Sequence, residues 1–453
     1  MTITADALAE VLRTAAEEHR VPGAATGVLL DGEVITAAHG VTNAEFPAPV
    51  TSATLFQVGS VSKTITSAAV MLLVQDGLVA LDDPISRHLP DLGPATGLDT
   101  EAITIEMALS HQSGFDGDHL FVVQSTDLDV LAGARRLFDP GTGFSYSNAG
   151  FSIAGAVIEA VSGQPYETFV RTRLFGPLGM RSACFTADDA ITYPVAAPHW
   201  VHEGTAHVLR HGGWQPGWEL LPADRPAGGM IASIDDLLTW CTFQRTGVGA
   251  DGTELLSSTS LARLHTPVVR ADRYEEIGLD WSVETIDGAT AIGHGGVTVG
   301  YITNLTIVPE RELAVVTVTN ATNGASVVQA VRRWALEHGA GLVKRDPEPD
   351  PALMDTIDLA PFIGRYVHSF SNLEVTAGTT PGTIVLTASR REDVDGWQPP
   401  IEDPITFAFV ADDHAVSIDA SGPVRHLSLD RNRDTDGLAA WILVGDRRAP
   451  RID

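Results

Sequence analysis

A proline-rich segment near residue 350 constrains the fold of this chain more than any other feature. Three prolines alternate with acidic residues between Lys344 and Pro351, and such a run stiffens toward polyproline II instead of packing as helix or sheet. We therefore predict a linker over residues 344–356, with a large domain at 1–343 and a small domain at 357–453. The length of 453 residues also favours more than one hydrophobic core.

The large domain begins and ends with strand-like sequence. Apolar residues at helical spacing predict four longer helices, over 5–18, 60–76, 234–246 and 326–339. Alternating or β-branched runs predict strands over 25–30, 33–38, 277–284, 289–292, 301–308 and 313–319. Because the strands come from both ends of the segment, we expect an α/β (α+β) fold. Distant parts of the chain would form one sheet, and the middle helices would form a second lobe.

The small domain contains six short strand-like runs between residues 371 and 444. Short strands at this density predict a small antiparallel β-barrel or sandwich, similar to a lipocalin.

Charge and cysteine content narrow the partners. The chain has 58 acidic and 29 basic residues, a net charge of −29, which disfavours nucleic acids and anionic membranes. No apolar run approaches the roughly 20 residues that a bilayer requires, and the first residues do not resemble a secretory signal. We expect a cytoplasmic protein with a small-molecule substrate, no cofactor and free buried thiols at Cys184 and Cys241. The sequence leaves a homo-oligomer open.

The 29 basic residues include only two lysines, Lys63 and Lys344. Lys344 falls in the linker and is expected to be solvated. Lys63 lies three residues after Ser60 where a loop becomes a helix, so its amine can approach the serine hydroxyl. A lysine can accept the proton of a serine nucleophile if its pKa is lowered, whereas arginine cannot. The alternative is that Ser60 or Ser62 caps the helix and Lys63 is solvated.

Two further motifs could supply a site. Tyr146 and Asn148 lie two residues apart in a loop and could point a phenol and an amide into one cleft; the alternative is an ordinary turn. His294-Gly295-Gly296 lies between two strand-like segments, where glycines allow a ligand to approach the backbone closely. The alternative there is a flexible hairpin with an exposed histidine.

The three motifs, in this order, resemble the serine β-lactamase and penicillin-binding-protein superfamily, and most closely its class C-like branch of esterases, D-aminopeptidases, DD-peptidases and acyltransferases. The resemblance covers about residues 8 to 340. Further segments that look like that branch are Phe56-Gln57-Val58-Gly59-Ser60, Leu81-Asp82-Asp83-Pro84, Leu109-Ser110-His111-Gln112-Ser113-Gly114, Pro177-Leu178-Gly179-Met180 and Pro226-Ala227-Gly228-Gly229. It implies an antiparallel sheet flanked by helices, with an all-helical lobe.

The resemblance also implies a role for each motif residue. Ser60 would be the acylated nucleophile and Lys63 would help to deprotonate it. Tyr146 would act as the general base that later protonates the leaving group, and Asn148 would orient Lys63 and the substrate. The backbone N–H groups of Ser60 and Val297 would form the oxyanion hole, where each donor contributes on the order of 3 kcal/mol.

The third motif departs from the usual lactamase pattern. His294-Gly295-Gly296 stands where lactamases usually have Lys-Thr-Gly, which argues against strong recognition of a β-lactam carboxylate. We therefore predict a serine hydrolase of the esterase type, acting on a carboxylic ester or lactone with an apolar or aromatic part. Gly295 and Gly296 would contact the substrate. The alternatives are a D-amino-acid amidase or peptidase, a peptide-cyclising acyltransferase, a β-lactamase and a non-catalytic binding protein.

Residues 194–221 form a segment with three tryptophans and four histidines. We predict a lid whose aromatic faces, Trp200, Trp214 and Trp218, bind an apolar substrate; the alternative is a loop packed on its own tryptophans. The histidine spacing lacks a metal-binding pattern, so no metal site is expected. An appended β-barrel can line the site in multidomain relatives, which makes Arg447 and Arg448 further candidates.

Overall fold

The protein is described from a computed structural model, which defines residues 3–119, 127–210, 218–391, 403–418, 422–430 and 437–453. These residues form two eight-stranded antiparallel sheets, one in each of the two predicted domains. The predicted combination of an antiparallel sheet with helices and a C-terminal antiparallel β-domain is thereby confirmed.

The first sheet joins the two ends of the large domain. Its strand order is β2-β1-β12-β11-β10-β9-β8-β7, so the N-terminal hairpin pairs with strands from more than 200 residues away, as in Ala24 opposite Thr319. The strands before the linker are β1 Gly23–Leu30, β2 Glu33–Gly40, β3 Phe56–Gln57, β4 His199–His202, β5 Thr205–Val208, β6 Ile231–Ala232, β7 Val269–Arg270, β8 Glu276–Ile277, β9 Ser282–Ile286, β10 Ala289–Thr298, β11 Tyr301–Val308 and β12 Leu313–Thr319.

Helices cover both faces of this sheet. The longer ones are α1 Ala5–Glu18, α2 Val61–Gln75, α3 Asn148–Ser162, α4 Ile234–Thr246, α5 Ser258–His265 and α6 Ala325–Ala335. Short helices occupy Ile85–His88, Leu92–Thr96, Ile105–Leu109, Tyr166–Val170, Gly176–Leu178, Ala187–Ala190, Arg225–Gly228 and Pro351–Met354. Helices α1 and α6 share one apolar core, and α2 is buried in the other, so α2 is fixed in position along most of its length.

Two strand predictions need correction. The predicted strand over 277–284 is broken, because Asp280 adopts a positive φ of 73° and leaves the sheet between β8 and β9. The predicted strand over 289–292 is longer, since β10 continues to Thr298. His294-Gly295-Gly296 therefore lies inside a strand of the β10–β11 hairpin, where it is paired with β11, and not in a flexible turn.

The second sheet is a meander in which each strand pairs with the next. Its first and last strands meet at a bridge between Tyr366 and Arg451, and the Ile452 N–H donates to the Arg365 carbonyl over 2.8 Å. The sheet therefore closes as a barrel. Its strands are β13 Gly364–Val367, β14 Ser371–Ala377, β15 Thr383–Arg390, β16 Ile405–Ala411, β17 His414–Ser417, β18 His426–Leu429, β19 Trp441–Val444 and β20 Arg447–Pro450.

Sequence reasoning found six of these eight strands. It missed β13 and β20, whose arginines, glycine and proline break the apolar alternation expected of a strand. The barrel has its own apolar core, which includes Phe362, Phe407 and Phe409.

The linker makes polar contacts with both domains. The predicted linker, residues 344–356, is irregular over 344–350 but forms a short helix at Pro351–Met354, because the Asp350 side chain caps that helix. Lys344 pairs with Glu284, and Arg333 lies 2.6 Å from Asp346. The Asp350 N–H donates to the Phe409 carbonyl of the barrel over 2.9 Å. The expectation that Lys344 is merely solvated is therefore wrong.

Two other expectations can be compared with the structure. Cys184 and Cys241 are both buried free thiols, as predicted. Among the described residues, no helix combines the length and the apolar character needed to cross a bilayer.

Candidate active site

Ser60 and Lys63 face each other at the start of α2. Ser60 is the N-cap residue, yet its side chain caps no backbone N–H; its Oγ lies 3.0 Å from Lys63 Nζ. The Lys63 side chain is completely buried. Neither a capping serine nor a solvated lysine describes this pair, so both halves of the alternative reading are wrong.

Three acceptors surround the Lys63 amine. Besides Ser60 Oγ, it donates to Asn148 Oδ1 over 2.7 Å and to the Ala227 carbonyl over 2.6 Å. Burial lowers the pKa of Lys63 to about 7; the Asp280 carboxylate acts in the opposite direction, and the Arg447 guanidinium lowers it further. A substantial fraction of Lys63 is therefore a neutral amine near pH 7, which can accept a proton.

Strand β10 packs directly against the loop that carries Ser60. Gly59 has a φ of 55°, and a Cβ added there would lie 2.6 Å from the Val297 nitrogen. A Cβ on Gly296 would lie 1.9 Å from the Val58 carbonyl oxygen. The two glycines thus let the backbones touch, which brings the N–H of Val297 beside the residue that precedes Ser60. A Cβ on Gly296 would therefore collide with the protein's own backbone. A Cβ on Gly295 would not, because its nearest heavy atom would be 4.0 Å away.

Tyr146 completes the group around Ser60. Its ring centroid lies 4.7 Å from Lys63 Nζ, and its hydroxyl interacts with the side chain of Ser60. Burial raises the pKa of Tyr146 well above its ordinary value, and Asp280 raises it further. Tyr146 is therefore a neutral phenol at pH 7, which can donate a proton but does not accept one as a phenolate.

Asp280 bridges two histidines beneath this group. Its Oδ1 lies 3.0 Å from His111 Nε2 and its Oδ2 lies 3.1 Å from His294 Nε2. The Ser147 N–H donates to His111 Nδ1 over 3.0 Å, so the proton of this imidazole sits on Nε2 and points at Asp280. Burial would raise the pKa of Asp280, but the two histidines hold it below its ordinary value. His111 in turn stacks on Tyr146 with ring centroids 4.4 Å apart.

The barrel reaches the same site through its last hairpin. The Asp446 carbonyl accepts the Tyr146 N–H over 2.8 Å, and the Arg447 guanidinium lies 4.9 Å from the Tyr146 ring centroid. Arg447 also donates to Asp118, whose other oxygen accepts from the Asn148 amide. A chain of contacts therefore runs from the barrel through Asp118 and Asn148 to Lys63.

The structure brings together Ser60, Lys63, Tyr146 and Asn148, with His294 joined to them through Asp280 and Val297 beside the loop that carries Ser60. Sequence reasoning missed Asp118, Asp224 and Asp280. No pattern marks them, because their partners are remote in sequence. The sequence indicated His111 only as part of a segment that resembles the family. Of the two arginines predicted as candidates, Arg447 and Arg448, it is Arg447 that contacts the Tyr146 ring.

The two described tryptophans of the predicted lid, Trp200 and Trp218, lie in different environments. Trp200 is 42% exposed on the β4–β5 hairpin and stacks on His202, with ring centroids 5.3 Å apart. The Trp218 indole donates to the Tyr301 hydroxyl over 2.8 Å, and this residue packs on the main core. Trp214 lies outside the described residues. Substrate binding by these tryptophans stays a prediction.

The fold and this serine–lysine arrangement define a class, the serine hydrolases that depend on a Ser-x-x-Lys pair. The chain belongs to the Beta-lactamase family, whose family model matches residues 8–340. Penicillin-binding protein 4 of Amycolatopsis lactamdurans is 31% identical over 370 residues, which is 79% of this chain and 95% of that protein. Esterase EstB of Burkholderia gladioli is 33% identical over 266 residues, 50% of this chain and 67% of that protein.

A solved structure is similar along both domains. The crystal structure of SurE has a TM-score of 0.75 and 27% identity, and the match covers 99% of each chain. A structure of SurE with D-Leu has a TM-score of 0.71 and 25% identity at the same coverage.

Proposed function

We propose that this protein is a serine hydrolase that forms an acyl-enzyme on Ser60 with a carboxylic ester or lactone. One observation carries the proposal: a fully buried lysine amine lies 3.0 Å from a serine hydroxyl. Burial lowers the pKa of this lysine to about 7. An unperturbed lysine would be protonated at pH 7 and useless as a base. Here burial supplies a neutral amine at the position where a proton must be removed.

Acylation begins with transfer of the Ser60 hydroxyl proton to neutral Lys63. Ser60 Oγ then forms a bond to the substrate carbonyl carbon, and the resulting oxyanion accepts hydrogen bonds from the N–H groups of Ser60 and Val297. When the bond to the leaving oxygen breaks, the Tyr146 phenol gives that oxygen its proton. Tyr146 recovers a proton from the Lys63 ammonium, so the products of this half-reaction are an alcohol and an ester of Ser60.

Deacylation repeats the same steps with water. A water molecule attacks the Ser60 ester while one of its protons passes to Lys63, and the second tetrahedral intermediate collapses to a carboxylic acid. As its bond to the acyl carbon breaks, the Ser60 oxygen takes that proton back from the Lys63 ammonium, which restores the starting state. The structure supports a division of labour in which Lys63 is the resting base and Tyr146 is the proton donor, since burial moves the pKa of Lys63 down and that of Tyr146 up.

The proposed substrate class rests on the third motif and on the matched esterase. His294 is engaged with Asp280 and replaces the lysine that lactamases usually have, so a permanent cation for a β-lactam carboxylate is missing at that position. Esterase EstB is similar over half of this chain. Both points favour esters over β-lactams.

A panel of substrates tests the proposal. Nitrophenyl esters of aliphatic and aromatic acids, a δ-lactone, D- and L-aminoacyl amides and a chromogenic cephalosporin would be compared with the purified chain and with Ser60→Ala. We expect Ser60-dependent turnover of the esters or the lactone, with at least about 100-fold lower kcat/KM for the cephalosporin. Turnover of the cephalosporin at the same rate as the esters would refute the ester assignment.

A second candidate is acyl transfer from a substrate with a D-configured residue. Two observations favour it: SurE has been solved with D-Leu, and Asp224 is a buried carboxylate whose Oδ1 has no hydrogen-bond partner among the described residues. Asp224 acts electrostatically on Lys63, so it lies near the site and could receive a substrate ammonium group. In the panel, D-aminoacyl substrates cleaved faster than their L-enantiomers, with loss of that preference in Asp224→Asn, would support this candidate.

The pH dependence of kcat/KM tests the role of Lys63 as base. Because the neutral amine is the active form, kcat/KM should rise with pH through an apparent pKa of about 7. Arg447 lowers the pKa of Lys63 and Asp224 raises it. Arg447→Met should therefore move the rising limb to higher pH, and Asp224→Asn should move it to lower pH.

The opposite signs of these two shifts provide the control. A limb that disappears in Asp224→Asn would belong to Asp224, whose own pKa burial raises to about 7. A limb that stays in place in both variants would show that Lys63 is not the titrating group.

A further inference from the structure

A cluster of two histidines and one aspartate lies where the large domain meets the barrel. Asp272 lies between β7 and β8, whereas His414 and His426 begin β17 and β18. One ligand atom of each residue falls within 4.8 Å of the others. We propose that these three side chains bind one Zn²⁺ ion, which would tie the large domain to the barrel.

The ligand atoms point at one another. His414 Nε2 lies 2.8 Å from His426 Nδ1, and His426 Nδ1 lies 3.9 Å from Asp272 Oδ2. Zinc bonds of about 2.0–2.2 Å place tetrahedral ligand atoms about 3.4 Å apart. These two distances bracket that value, and the remaining pair of ligand atoms lies within 4.8 Å.

In two of the proposed ligands, His414 and Asp272, the atom that faces away from the cluster already has a hydrogen-bond partner. The Ser428 hydroxyl is 3.2 Å from His414 Nδ1, which leaves Nε2 to face the cluster. The N–H groups of Tyr274 and Glu275 donate to Asp272 Oδ1 over 2.6 and 2.9 Å, which leaves Oδ2 to face it. Metal sites typically orient their ligands through such outer contacts.

Donor chemistry and access both suit zinc. Imidazole nitrogens with a carboxylate favour zinc and related first-row ions over calcium or magnesium, which prefer all-oxygen sites. His414 is fully buried, but the His426 side chain is 35% exposed, so an ion can enter from solvent and water can fill the fourth position.

The position of the cluster gives the ion a structural consequence. Asp446 acts electrostatically with both Asp272 and His426, and the next residue is Arg447, which contacts Tyr146. An ion at the cluster would hold the domain boundary directly beside the hairpin that enters the active site.

Zinc binding to the full chain tests the proposal. The protein would be stripped with a chelator, and Zn²⁺ would be titrated in competition with a chromogenic zinc chelator, with the melting temperature followed in parallel. We expect one equivalent of zinc and a rise in melting temperature. His426→Ala and Asp272→Asn should each weaken the affinity by at least about tenfold. Asparagine retains Oδ1, so the turn that Asp272 stabilises should survive.

His207→Ala is the matched control, since it removes an exposed histidine from the β4–β5 hairpin and should bind zinc as the parent does. Replacing zinc with Co²⁺ should give visible absorption bands of a four-coordinate site that are absent in Asp272→Asn. If the parent binds no zinc, or if His426→Ala and Asp272→Asn bind it as tightly as the parent, the proposal is wrong. Circular dichroism checks folding, and Asp272→Asn decides the outcome should His426→Ala misfold.

Discussion

Replacing Lys63 with arginine is expected to lower kcat/KM for any ester substrate by at least about 1000-fold. Arginine retains the positive charge but does not lose its proton in proteins, so it cannot accept the proton of Ser60. The measurement is kcat/KM on a nitrophenyl ester, together with labelling of the variant by a fluorophosphonate probe. We expect both turnover and labelling to disappear.

The composition of the chain offers a matched control for this variant. The other lysine, Lys344, lies in the linker and pairs with Glu284 of β9. Lys344→Arg should therefore keep full activity. Lys63→Met, which has a similar length and no charge, covers the case in which the arginine does not fit the buried site. Retained turnover in both Lys63 variants would exclude the lysine as the base.

The same probe locates the nucleophile. Mass spectrometry of the labelled parent should place the adduct on Ser60. Ser62 is buried and donates to the Gly59 carbonyl over 2.7 Å, and Ser145 accepts the Arg448 N–H over 3.1 Å. An adduct on either of these serines would contradict the assignment.

Replacing Gly296 with alanine is expected to reduce kcat/KM by about 100-fold. The new Cβ would stand 1.9 Å from the Val58 carbonyl oxygen, which is a backbone atom and cannot rotate away as the end of a side chain could. Strand β10 or the Ser60 loop must move apart, which displaces the Val297 N–H from the oxyanion. Overpacking should also lower the free energy of unfolding by about 1–3 kcal/mol, which a denaturant titration measures.

Two other glycines show whether contact, and not the extra methyl group itself, causes this loss. The nearest atom to a Cβ on Gly295 is the Thr303 carbonyl oxygen at 4.0 Å, so Gly295→Ala should leave the free energy of unfolding near that of the parent. No heavy atom of the described residues lies within 4 Å of a Cβ added to Gly422 in the barrel, and Gly422→Ala should behave as the parent does. Equal losses of unfolding free energy in Gly295→Ala and Gly296→Ala would contradict the packing argument.

The local part of the site could be predicted from the sequence. Ser60 and Lys63 lie one helical turn apart, so their contact follows from helix geometry alone. The rarity of lysine drew attention to the pair. An antiparallel β-domain was likewise foreseeable from the short strand-like runs, which left a barrel and a sandwich open. Its polar strands β13 and β20 were not foreseeable.

The long-range part of the site could not be predicted in this way. Asp280 sits at a positive φ inside an apparent strand, and its two histidines lie on opposite sides of it in the sequence. Arg447 reaches Tyr146 from a strand with no apolar alternation. The proposed zinc ligands are separate in sequence as well, since Asp272 belongs to one domain and both histidines to the other. Such pairings depend on tertiary packing, which hydrophobic periodicity does not encode.

The way the barrel contacts the active site has a consequence for how the enzyme loses activity. The two domains have separate main cores. The contacts between them near Tyr146 include the Asp446 carbonyl, the Arg447 guanidinium and a small apolar cluster of Phe144, Ile277 and Leu443. Such a boundary can open at lower denaturant concentration than either core unfolds. Catalysis would then fail while circular dichroism still reports intact helices and strands, so turnover is a more sensitive gauge of domain docking than any spectroscopic measure of secondary structure.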